Sequence, residues 1–593
     1  MHISRVEIVN FRNFEHVSFN CGPNVVLLGE NKAGKSNLLF ALRLVLDPAL
    51  PDSARRLRME DFWDGLGEPG PEDKITVSVD LSDFENDEDQ LALLADHLVE
   101  PSPMVARLTY AWEPKKTLKE PPSKEADYDF TVYGGDRHES WVSSDLRRRL
   151  PMELLHALRD CEADLAKWSR SPLRPLLDQA ASGISKEKLE EYAEAIETAS
   201  AELTEDPEIA SQATKLTDQL KTMVGENQAL DILFRFAPID PARLVRSLRI
   251  FIDGGKRGVA DASLGSANIL FFALKMLEFQ HLIAAGERQH TFLAIEEPEA
   301  HLHPHLQRLV FRNYLRLRHD TDDDDKLPEA SVWVSTHSPH IASVAPIKSF
   351  VALRSNGESS SAVSTLGVDL TDNEVEDLER YLDVSRGEML FARGVVLVEG
   401  DAEKFLLPVL AAVQNLDLDE EGISVCSISG TNFNAYAKFL KSLAIPFAVV
   451  TDKDPTDTGS LAHIRVATLV RTLTDKDLSS ADEAQTFAAG EEAGIFVNSH
   501  TLEIDLFECG LKEEFLSATK GLRKPGKALE RMTGWAQTNT ALDKERFLAD
   551  IEQISKGRFA QRLATAIKKS GNKSCPAYIS TALGFLWRRL HGE

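Results

Sequence analysis

One octapeptide constrains the fold of this chain more than any other feature. Residues 29–36 read Gly-Glu-Asn-Lys-Ala-Gly-Lys-Ser, between the apolar run Asn24–Leu28 and a helical pattern over Lys35–Leu46. A glycine-rich turn between a strand and a helix lets backbone N–H groups surround phosphates at the positive end of the helix. Lys35 would reach the β- and γ-phosphates, and Ser36 would ligate Mg²⁺. The sequence therefore predicts a nucleotide-binding loop whose candidate residues are Gly29, Asn31, Gly34, Lys35, Ser36 and Asn37.

A second motif lies far along the chain, at Thr291–Glu299, where an apolar strand pattern ends in adjacent carboxylates. Successive strand residues point to opposite faces, so Glu296 and Glu297 can perform different tasks. Glu296 would bind the Mg²⁺ shell, and Glu297 would act as the catalytic carboxylate that orients or polarises the attacking water. Two such motifs in this order predict a domain that binds ATP and Mg²⁺.

Three shorter segments extend this pattern. Ala262–Asn268 opens a helix with short polar residues, Ala300–Pro304 follows the acidic strand, and Ser331–His337 is a strand that ends in a histidine. They resemble, the first only loosely, the signature loop, the D-loop and the switch-histidine strand of SMC-like and OLD-like ABC ATPases. The resemblance implies that His337 contacts the nucleotide. It also implies an ATP-dependent homodimer or higher homo-oligomer, because the signature loop of one subunit closes on the ATP of another.

A second group of acidic residues follows two apolar strand patterns near the C-terminal end. Val395–Glu399 leads into a glycine, with Glu403 four positions later, and Ala448–Asp452 is followed by Asp454 two positions later. The two glutamates can converge because the first turn of a helix folds back over the strand tip, although Asp401 between them can be a simple helix N-cap. The two aspartates are predicted to share one side of an extended strand end. Acids at the carboxyl ends of parallel strands lie where open α/β sheets bind ligands.

In this order the acids resemble a Toprim domain, as found in topoisomerases, primases, recombination proteins and OLD nucleases. Thr501–Leu506 resembles the additional acidic strand of the OLD family, and Ile554–Ala560 resembles its lysine motif. Asp505 can equally be a surface residue. The resemblance implies two divalent cations, Mg²⁺ or alternatively Mn²⁺ or Ca²⁺, that activate water and stabilise the leaving oxygen. It assigns catalysis to Glu399 and Lys556, and metal binding to Glu399, Glu403, Asp452, Asp454 and Glu503.

The net charge limits the kind of partner. A value of −27 argues against a protein that coats DNA by general phosphate neutralisation, which needs an excess of Lys and Arg. DNA remains the expected partner, because carboxylate-bound cations can bridge to phosphates and local basic clusters can add contacts. Each cluster taken alone is more simply a solvated face. The clusters are Arg55–Arg58, Arg147–Arg149, Arg243 with Arg246 and Arg249, and Lys568–Lys569.

Other features of the sequence concern its compartment. The chain contains no run of about 18 apolar residues free of charge, and its N-terminus resembles an amphipathic strand rather than a signal peptide. We therefore expect a cytoplasmic protein with no membrane partner. The five cysteines are far apart and form no CxxC pair, so we expect neither a zinc site nor a disulfide framework.

A chain of 593 residues predicts two or three domains, since single domains rarely exceed roughly 250 residues. The expected fold class is α/β: an ABC-type ATPase domain with a helical insertion, followed by a Toprim domain. The predicted boundaries are 1–150 and 231–370 for the ATPase, 151–230 for the insertion and 371–593 for the Toprim nuclease domain. The Ala-, Glu-, Leu- and Lys-rich insertion fits a dimerisation element and a plain helical insertion about equally well.

The whole arrangement resembles the OLD (overcoming lysogenization defect) family. The resemblance implies an ATP-binding, metal-dependent DNA endonuclease that acts in phage defence or DNA repair, and it also implies a helicase partner. A topoisomerase would need a domain with a nucleophilic tyrosine, and a primase usually has a zinc module; neither fits this chain. An SMC- or RecF-like ATPase that binds DNA without cutting is the second alternative, and it has no need for converging Glu399, Asp452 and Asp454.

Overall fold

The computed structural model describes residues 1–118, 120–156, 171–226, 230–235, 240–300, 302–316, 330–456, 459–522, 526–537 and 541–592. The acidic run Asp322–Asp325, predicted to be a solvated loop, lies outside these residues. The strands of the first 370 residues are β1 (His2–Phe11), β2 (Phe14–Asn20), β3 (Val25–Gly29), β4 (Ile75–Ser82), β5 (Leu98–Pro101), β6 (Met104–Pro114), β7 (Tyr128–Gly134), β8 (Met152–Leu155), β9 (Phe251–Ile252), β10 (Arg257–Gly258), β11 (Thr291–Glu296), β12 (Ala330–Ser335), β13 (Phe350–Ser355) and β14 (Ser360–Ser364). The helices are α1 (Lys35–Leu46), α2 (Asp52–Arg55), α3 (Glu88–Leu94), α4 (Ser144–Arg149), α5 (Leu173–Ser182), α6 (Lys186–Thr204), α7 (Pro207–Val224), α8 (Pro241–Arg246), α9 (Leu264–Ala284), α10 (Pro304–Arg316) and α11 (Pro339–Ala342).

The remaining residues form the second unit. Its strands are β15 (Gly394–Val398), β16 (Ile423–Ser427), β17 (Phe447–Thr451), β18 (Pro455–Thr456), β19 (Gly459–Ser460) and β20 (Ile495–Val497). Its helices are α12 (Asp372–Tyr381), α13 (Val384–Gly387), α14 (Asp401–Val413), α15 (Phe433–Ser442), α16 (Leu461–Thr474), α17 (Glu483–Glu492), α18 (Leu502–Glu508), α19 (Lys512–Lys520), α20 (Gly526–Gln537), α21 (Lys544–Ile554), α22 (Lys556–Ser570) and α23 (Ala577–His591). The α/β class is confirmed, with the nucleotide-binding motifs in the first unit and the Toprim-like acids in the second.

An antiparallel sheet occupies the N-terminal part of the first unit. Its order is β2-β1-β4-β6-β5, and β7 also pairs with β6. Along β4, Ile75, Val77 and Val79 are all buried, as expected for a strand with one face on a core. The strand over Phe14–Asn20 was not predicted, because its buried positions do not alternate strictly and the usual signal is broken.

A parallel sheet carries the nucleotide-binding motifs. Its order is β14-β13-β3-β12-β11-β8, and every pair except β13 with β14 is parallel. All five residues of β3 are buried, as expected for a strand covered on both faces. Helix α1 begins and ends where the sequence predicted. The parallel register of β3, β12 and β11 brings their carboxyl ends to one edge.

Strand β8 corrects the predicted boundary between the ATPase domain and the helical insertion. Residues from 151 onward were assigned to the insertion, but β8 pairs in parallel with β11 and therefore belongs to the ATPase sheet. Lys275 of α9 strengthens this attachment, because its Nζ lies 2.8 Å from Glu153 of β8. The helices that follow, α5 to α7, expose most of their length, including apolar side chains at Tyr192, Ile196, Leu203, Leu216 and Met223.

Helix α9 has the length and the apolar composition of a membrane-spanning helix, which is weak evidence because core helices also meet these criteria. Phe271, Phe272 and Phe279 of this helix are buried in the core of the first unit. Its Lys275 forms ion pairs with Glu153 and Glu278, at 2.8 and 2.7 Å. These contacts are those of a packed helix within a folded domain.

The second unit is built on a four-stranded parallel sheet in the order β16-β15-β17-β20. Strands β15 and β17 are neighbours, so the residues that follow them, Glu399 and Asp452, meet at one edge. The C-terminal helices α18 to α23 pack over one face of the sheet in a core of their own.

The two units share a hydrophobic core. A single cluster of buried residues runs from the ATPase sheet, through α12, to the opposite face of the Toprim sheet. Phe350 of β13 and Phe439 of α15 stand at the junction, with ring centroids 6.0 Å apart. Both rings are fully buried.

We predict that Phe439→Ala loosens both units together. The expected loss is about 3 kcal/mol in the free energy of unfolding, because a large buried ring leaves a cavity. Hydrogen exchange should accelerate in β13 as well as in α15. The control is Phe405→Ala, which removes a ring that is 39% exposed and should change little. Faster exchange confined to α15 would contradict a shared core.

Candidate functional site

The phosphate-binding loop is folded around its own lysine. Lys35 Nζ donates hydrogen bonds to the carbonyl oxygens of Gly29 (2.8 Å) and Glu30 (3.1 Å). Gly34 has φ of 100°, and a Cβ there would lie 2.1 Å from Asn13 Nδ2. Only glycine fits this position, because the backbone is left-handed and a neighbouring side chain occupies the space. The loop therefore has the glycine-dependent turn between strand and helix that the sequence predicted.

The other predicted loop residues have different surroundings. Asn31 and Ser36 are exposed at the mouth of the loop. Asn37 is engaged by the N-terminal hairpin: its Nδ2 donates to Asn13 Oδ1 (2.7 Å), and its Oδ1 accepts from Arg12 (2.8 Å). Arg12 and Asn13 were not predicted, since nothing in their local sequence shows that the β1–β2 turn reaches this loop.

The acidic strand places its carboxylates differently. Glu296 ends β11 and its Oε2 lies 2.8 Å from His156 Nδ1, whereas Glu297 has a φ of 42° and a half-exposed side chain. Glu297 Oε1 is 3.9 Å from Nε2 of His337. The predicted divergence of the two glutamates is seen, although a left-handed turn rather than strand alternation produces it.

Glu299 is a residue of the same motif that sequence reasoning passed over. Its carboxylate accepts from the His337 backbone N–H (2.6 Å) and from Thr336 Oγ1 (2.8 Å), and so fixes the switch-histidine segment. Burial raises the pKa of Glu299. Burial lowers the pKa of Lys35, and the charges of Glu297, Glu299 and Glu30 partly oppose that shift. The two halves of the predicted nucleotide site therefore lie together.

The second site lies at the carboxyl edge of the Toprim sheet. Glu399 Oε1 accepts from the Asp452 backbone N–H (2.9 Å) and from the Thr451 hydroxyl. Asp452 Oδ1 accepts from the Leu502 N–H (3.0 Å) and from the Asn498 side chain. Asn498 was not predicted, although it follows β20, whose end adjoins that of β17. The sequence did contain a signal for Asn498, namely an amide side chain directly after an apolar strand.

Two further acids and a lysine complete this edge. Glu403 and Glu503 are only 5% and 3% exposed, and Lys556 Nζ lies 3.0 Å from Glu503 Oε1. Burial raises the pKa of Glu403. Burial also raises the pKa of Asp452 to about 8, helped by the charges of Glu399, Glu403 and Glu503 and opposed by Lys556. Such mutual influence requires the carboxylates to be close together.

Two local predictions about this edge were wrong. Thr501–Leu506 is not a strand: residues from Leu502 onward form α18, and Glu503 lies in its first turn. Asp505 binds the Ser499 backbone N–H at 2.8 Å, so it holds the preceding loop. Asp454 does not extend β17, which ends at Thr451, and its φ of 49° turns the chain toward Arg465.

The donor set suits a hard divalent cation, since every side chain predicted as a ligand is a carboxylate. Glu503 Oε2 is buried and has no hydrogen-bond partner among the described residues, as expected of an oxygen that faces a cation. Within the described ranges, no group of three or more His, Cys, Asp or Glu side chains is close enough to hold an ion as it stands. The donor types and the unpaired buried oxygen of Glu503 fit divalent-cation binding.

Comparisons with known proteins agree with this arrangement. Residues 390–454 match the family described as overcoming lysogenization defect protein-like, TOPRIM domain, residues 136–342 match an AAA ATPase domain family, and residues 1–111 match a protein family of unknown function. The OLD nuclease of Thermus scotoductus is 27% identical over 478 residues, which cover 76% of this chain and 82% of that protein. Endonuclease GajA of Bacillus cereus is 22% identical over 77% of this chain and 75% of its own.

A solved structure adds a nearer relative. The C-terminal region of the Burkholderia pseudomallei OLD protein is 42% identical and matches 34% of this chain and 99% of its own. The TM-score is 0.31, so it is the sequence identity that relates the two. The chain belongs to the OLD family.

In this OLD-family enzyme an ATPase domain precedes a Toprim domain, as the order of motifs predicted. The Toprim match ends at Asp454 and includes Glu399, Glu403 and Asp452. Glu503 and Lys556 lie beyond the matched residues, and they reach the same edge through α18 and α22.

The raised pKa of Asp452 gives a pH-dependent stability. Between about pH 4 and about pH 8 the unfolded chain releases this proton while the folded OLD-family protein keeps it, so stability falls across that range. Asp452→Asn keeps Oδ1 as an acceptor for Asn498 and Leu502 but has no charge. In EDTA, its melting temperature should exceed that of the wild type by a margin that grows from about pH 5 to about pH 8.5. Asp401→Asn, at an exposed acid of the same region, should show a constant difference. A constant margin for Asp452→Asn would contradict the shift.

Proposed function

We propose that this protein is an ATP-binding, metal-dependent DNA endonuclease. One observation carries the proposal: Glu399 and Asp452 meet at the carboxyl edge of a parallel sheet, together with the buried Glu403 and Glu503 and with Lys556, which pairs with Glu503. A protein that only binds DNA gains nothing from buried, mutually repelling carboxylates, which cost stability. The relatives named OLD nuclease and endonuclease GajA support the same activity.

The Toprim residues divide the work of phosphodiester cleavage. Glu399, Glu403, Asp452, Asp454 and Glu503 would hold two divalent cations, with Mg²⁺ the proposed ion and Mn²⁺ or Ca²⁺ as alternatives. Bound cations supply a water nucleophile and neutralise charge at the leaving oxygen. Lys556, held by Glu503 at 3.0 Å, would place an ammonium group beside the phosphate and stabilise the added negative charge. This route requires no covalent nucleophile.

The ATPase residues act at the carboxyl edge of the parallel sheet in the first unit. Lys35 would exchange its bonds with the carbonyls of Gly29 and Glu30 for bonds with the nucleotide phosphates. Ser36 and Glu296 would hold the Mg²⁺ of the nucleotide, and Glu297 would orient water with His337 nearby. A homodimer or higher oligomer is proposed from family membership. The exposed apolar side chains of α6 and α7 are consistent with association.

Helix α22 offers a surface for the DNA backbone. From Lys556 to Pro576 the chain has six basic residues and no acidic one, in a protein with a net charge of −27. Arg558, Arg562 and Lys569 are exposed and lie at i, i+4 and i+11, on one face of the helix that begins at Lys556. None of these three forms an ion pair within the described part of the chain. The basic face would lead the backbone toward the acidic edge.

The proposed setting is the cytoplasm, in phage defence or DNA repair, with a helicase as a further partner. Membership of the OLD family supports the two roles and the helicase partner.

The central prediction is that DNA cleavage and ATP hydrolysis can be lost separately by mutation. Cleavage is measured on supercoiled plasmid with Mg²⁺ or Mn²⁺, with and without ATP. Asp452→Ala should lose nicking or cutting by about two orders of magnitude or more while it still hydrolyses ATP, because a metal ligand is gone. Lys35→Ala should lose ATP hydrolysis while its Toprim acids still bind Mn²⁺. Asp401→Ala is the matched control for both. If the wild type cleaves neither DNA nor RNA with any divalent ion, an ATPase that binds DNA without cutting becomes the better assignment.

The basic face makes its own prediction. Changing Arg558, Arg562 and Lys569 to Gln should weaken DNA binding in EDTA and reduce the slope of log K against log salt by roughly 0.9 for each phosphate that the protein no longer neutralises. The control removes the same charge from the insertion, at the exposed Lys188, Lys215 and Lys221. Equal effects from the two triple variants would show a general charge effect instead of a DNA path along α22.

A further inference from the structure

Arg465 is the most closely held cation of the Toprim edge. It lies in α16, which packs against the acidic loop through backbone bonds from Leu461 to Asp454 (3.2 Å) and from Ala462 to Lys453 (3.3 Å). The Arg465 side chain is 12% exposed, so the protein almost encloses it. Its position in the sequence gives no hint of this role, because it follows Asp454 by eleven residues and is part of an ordinary amphipathic helix.

The guanidinium joins two of the acidic residues. Nη1 donates to Glu399 Oε1 (2.9 Å), and Nη2 donates to Asp454 Oδ2 (3.1 Å). Nη1 also bonds to the Asp452 carbonyl (3.0 Å) and to the Thr451 hydroxyl. Arg465 is therefore fastened to the end of β17 itself as well as to the carboxylates.

These bonds use one oxygen of each carboxylate. The bonds that Glu399 receives from Arg465, Thr451 and the Asp452 N–H all fall on Oε1. Among the described residues, Glu399 Oε2 and Asp454 Oδ1 accept no hydrogen bond. A carboxylate that is fixed through one oxygen presents the other in a defined direction, and hydrogen bonds of this kind orient metal ligands in proteins.

Two physical roles are compatible with an arginine between carboxylates, and they predict opposite effects of its removal on metal affinity. An arginine that merely occupies the place of a metal would compete with it, so its removal would strengthen metal binding. An arginine that orients the ligands would weaken metal binding when removed, despite the loss of a repelling charge. The bonds to the Asp452 carbonyl and the Thr451 hydroxyl favour orientation, because an occupant displaced by metal would have to break its bonds with the scaffold too.

We propose that Arg465 is a positioning residue that aims Glu399 and Asp454 at a divalent cation. The inference rests on the proposed nuclease function and names a component of its metal site outside the carboxylates. A planar fork of donors is required for the role, since one guanidinium must reach two carboxylates and the backbone together. An ammonium group supplies the charge without that geometry.

The test is Mn²⁺ binding to the full-length protein, measured by titration calorimetry and by the electron paramagnetic resonance signal of free Mn²⁺. Arg465→Gln should weaken Mn²⁺ binding by about 10- to 100-fold. Arg465→Lys, which keeps the charge, should still be weaker than the wild type by a smaller factor. The Mg²⁺ concentration for half-maximal cleavage should also rise, more in Arg465→Gln than in Arg465→Lys. Arg471→Gln removes the same charge from an exposed position of the same helix and should leave Mn²⁺ affinity unchanged.

The outcomes separate the inference from the function on which it rests. Wild-type affinity or tighter binding in Arg465→Gln overturns the positioning role, whether or not the wild type cleaves DNA. Failure of the wild type to bind Mn²⁺ or to cleave overturns the proposed function itself. If Arg465→Gln does not fold, as judged by its melting curve, the folded Arg465→Lys variant decides: affinity equal to the wild type rejects the role and reduced affinity supports it.

Discussion

The parallel pairing of β15 with β17 is the constraint on which the Toprim edge depends. In this register Val398 lies beside Val450, so the two strands end within one residue of each other and bring Glu399 and Asp452 into hydrogen-bond contact. The apolar strand residues cannot move without exposing a fully buried core. The sheet thereby holds together carboxylates that would separate in water. Burial at this edge is the main cause of the raised pKa of Asp452, and the charges of Glu399, Glu403 and Glu503 add to it.

Parallel strands also bring together the residues of the nucleotide-binding edge, but the charges there are balanced in the opposite way. Parallel β3, β12 and β11 end beside one another, which places the lysine loop, the switch histidine and the acidic motif at one level. There a buried ammonium group is balanced by surrounding carboxylates, whereas in the second unit buried carboxylates are balanced by Lys556 and Arg465. Each edge is complementary to the charge of what it is proposed to bind: phosphates in the first and divalent cations in the second.

The sequence predicted those parts of the site that depend on strand ends. Lys35, Glu297, Glu399 and Asp452 follow or precede strongly apolar runs, and a buried parallel strand fixes where its last residue lies. It could not predict the path of the chain after a strand. A left-handed residue at Asp454 and the helical conformation of α18 both depend on contacts with distant segments.

Residues that act through others were the hardest to find from sequence. Asn13, Glu299 and Arg465 each form a hydrogen bond with a predicted site residue. Their partners, Asn37, His337 and Glu399, are far from them in the sequence. Their side-chain types are common, and no spacing rule distinguishes them from surface residues. Asn498 differs, because its place after β20 marks it once the strand order is known.

The shared core between the units has a mechanical consequence. Two domains joined by a flexible linker can change their angle freely, but here the Phe350 and Phe439 rings are packed in one continuous interior, where tight packing resists hinge rotation. We therefore expect the chain to move as one body, so that a tilt of the ATPase sheet would carry the Toprim edge with it.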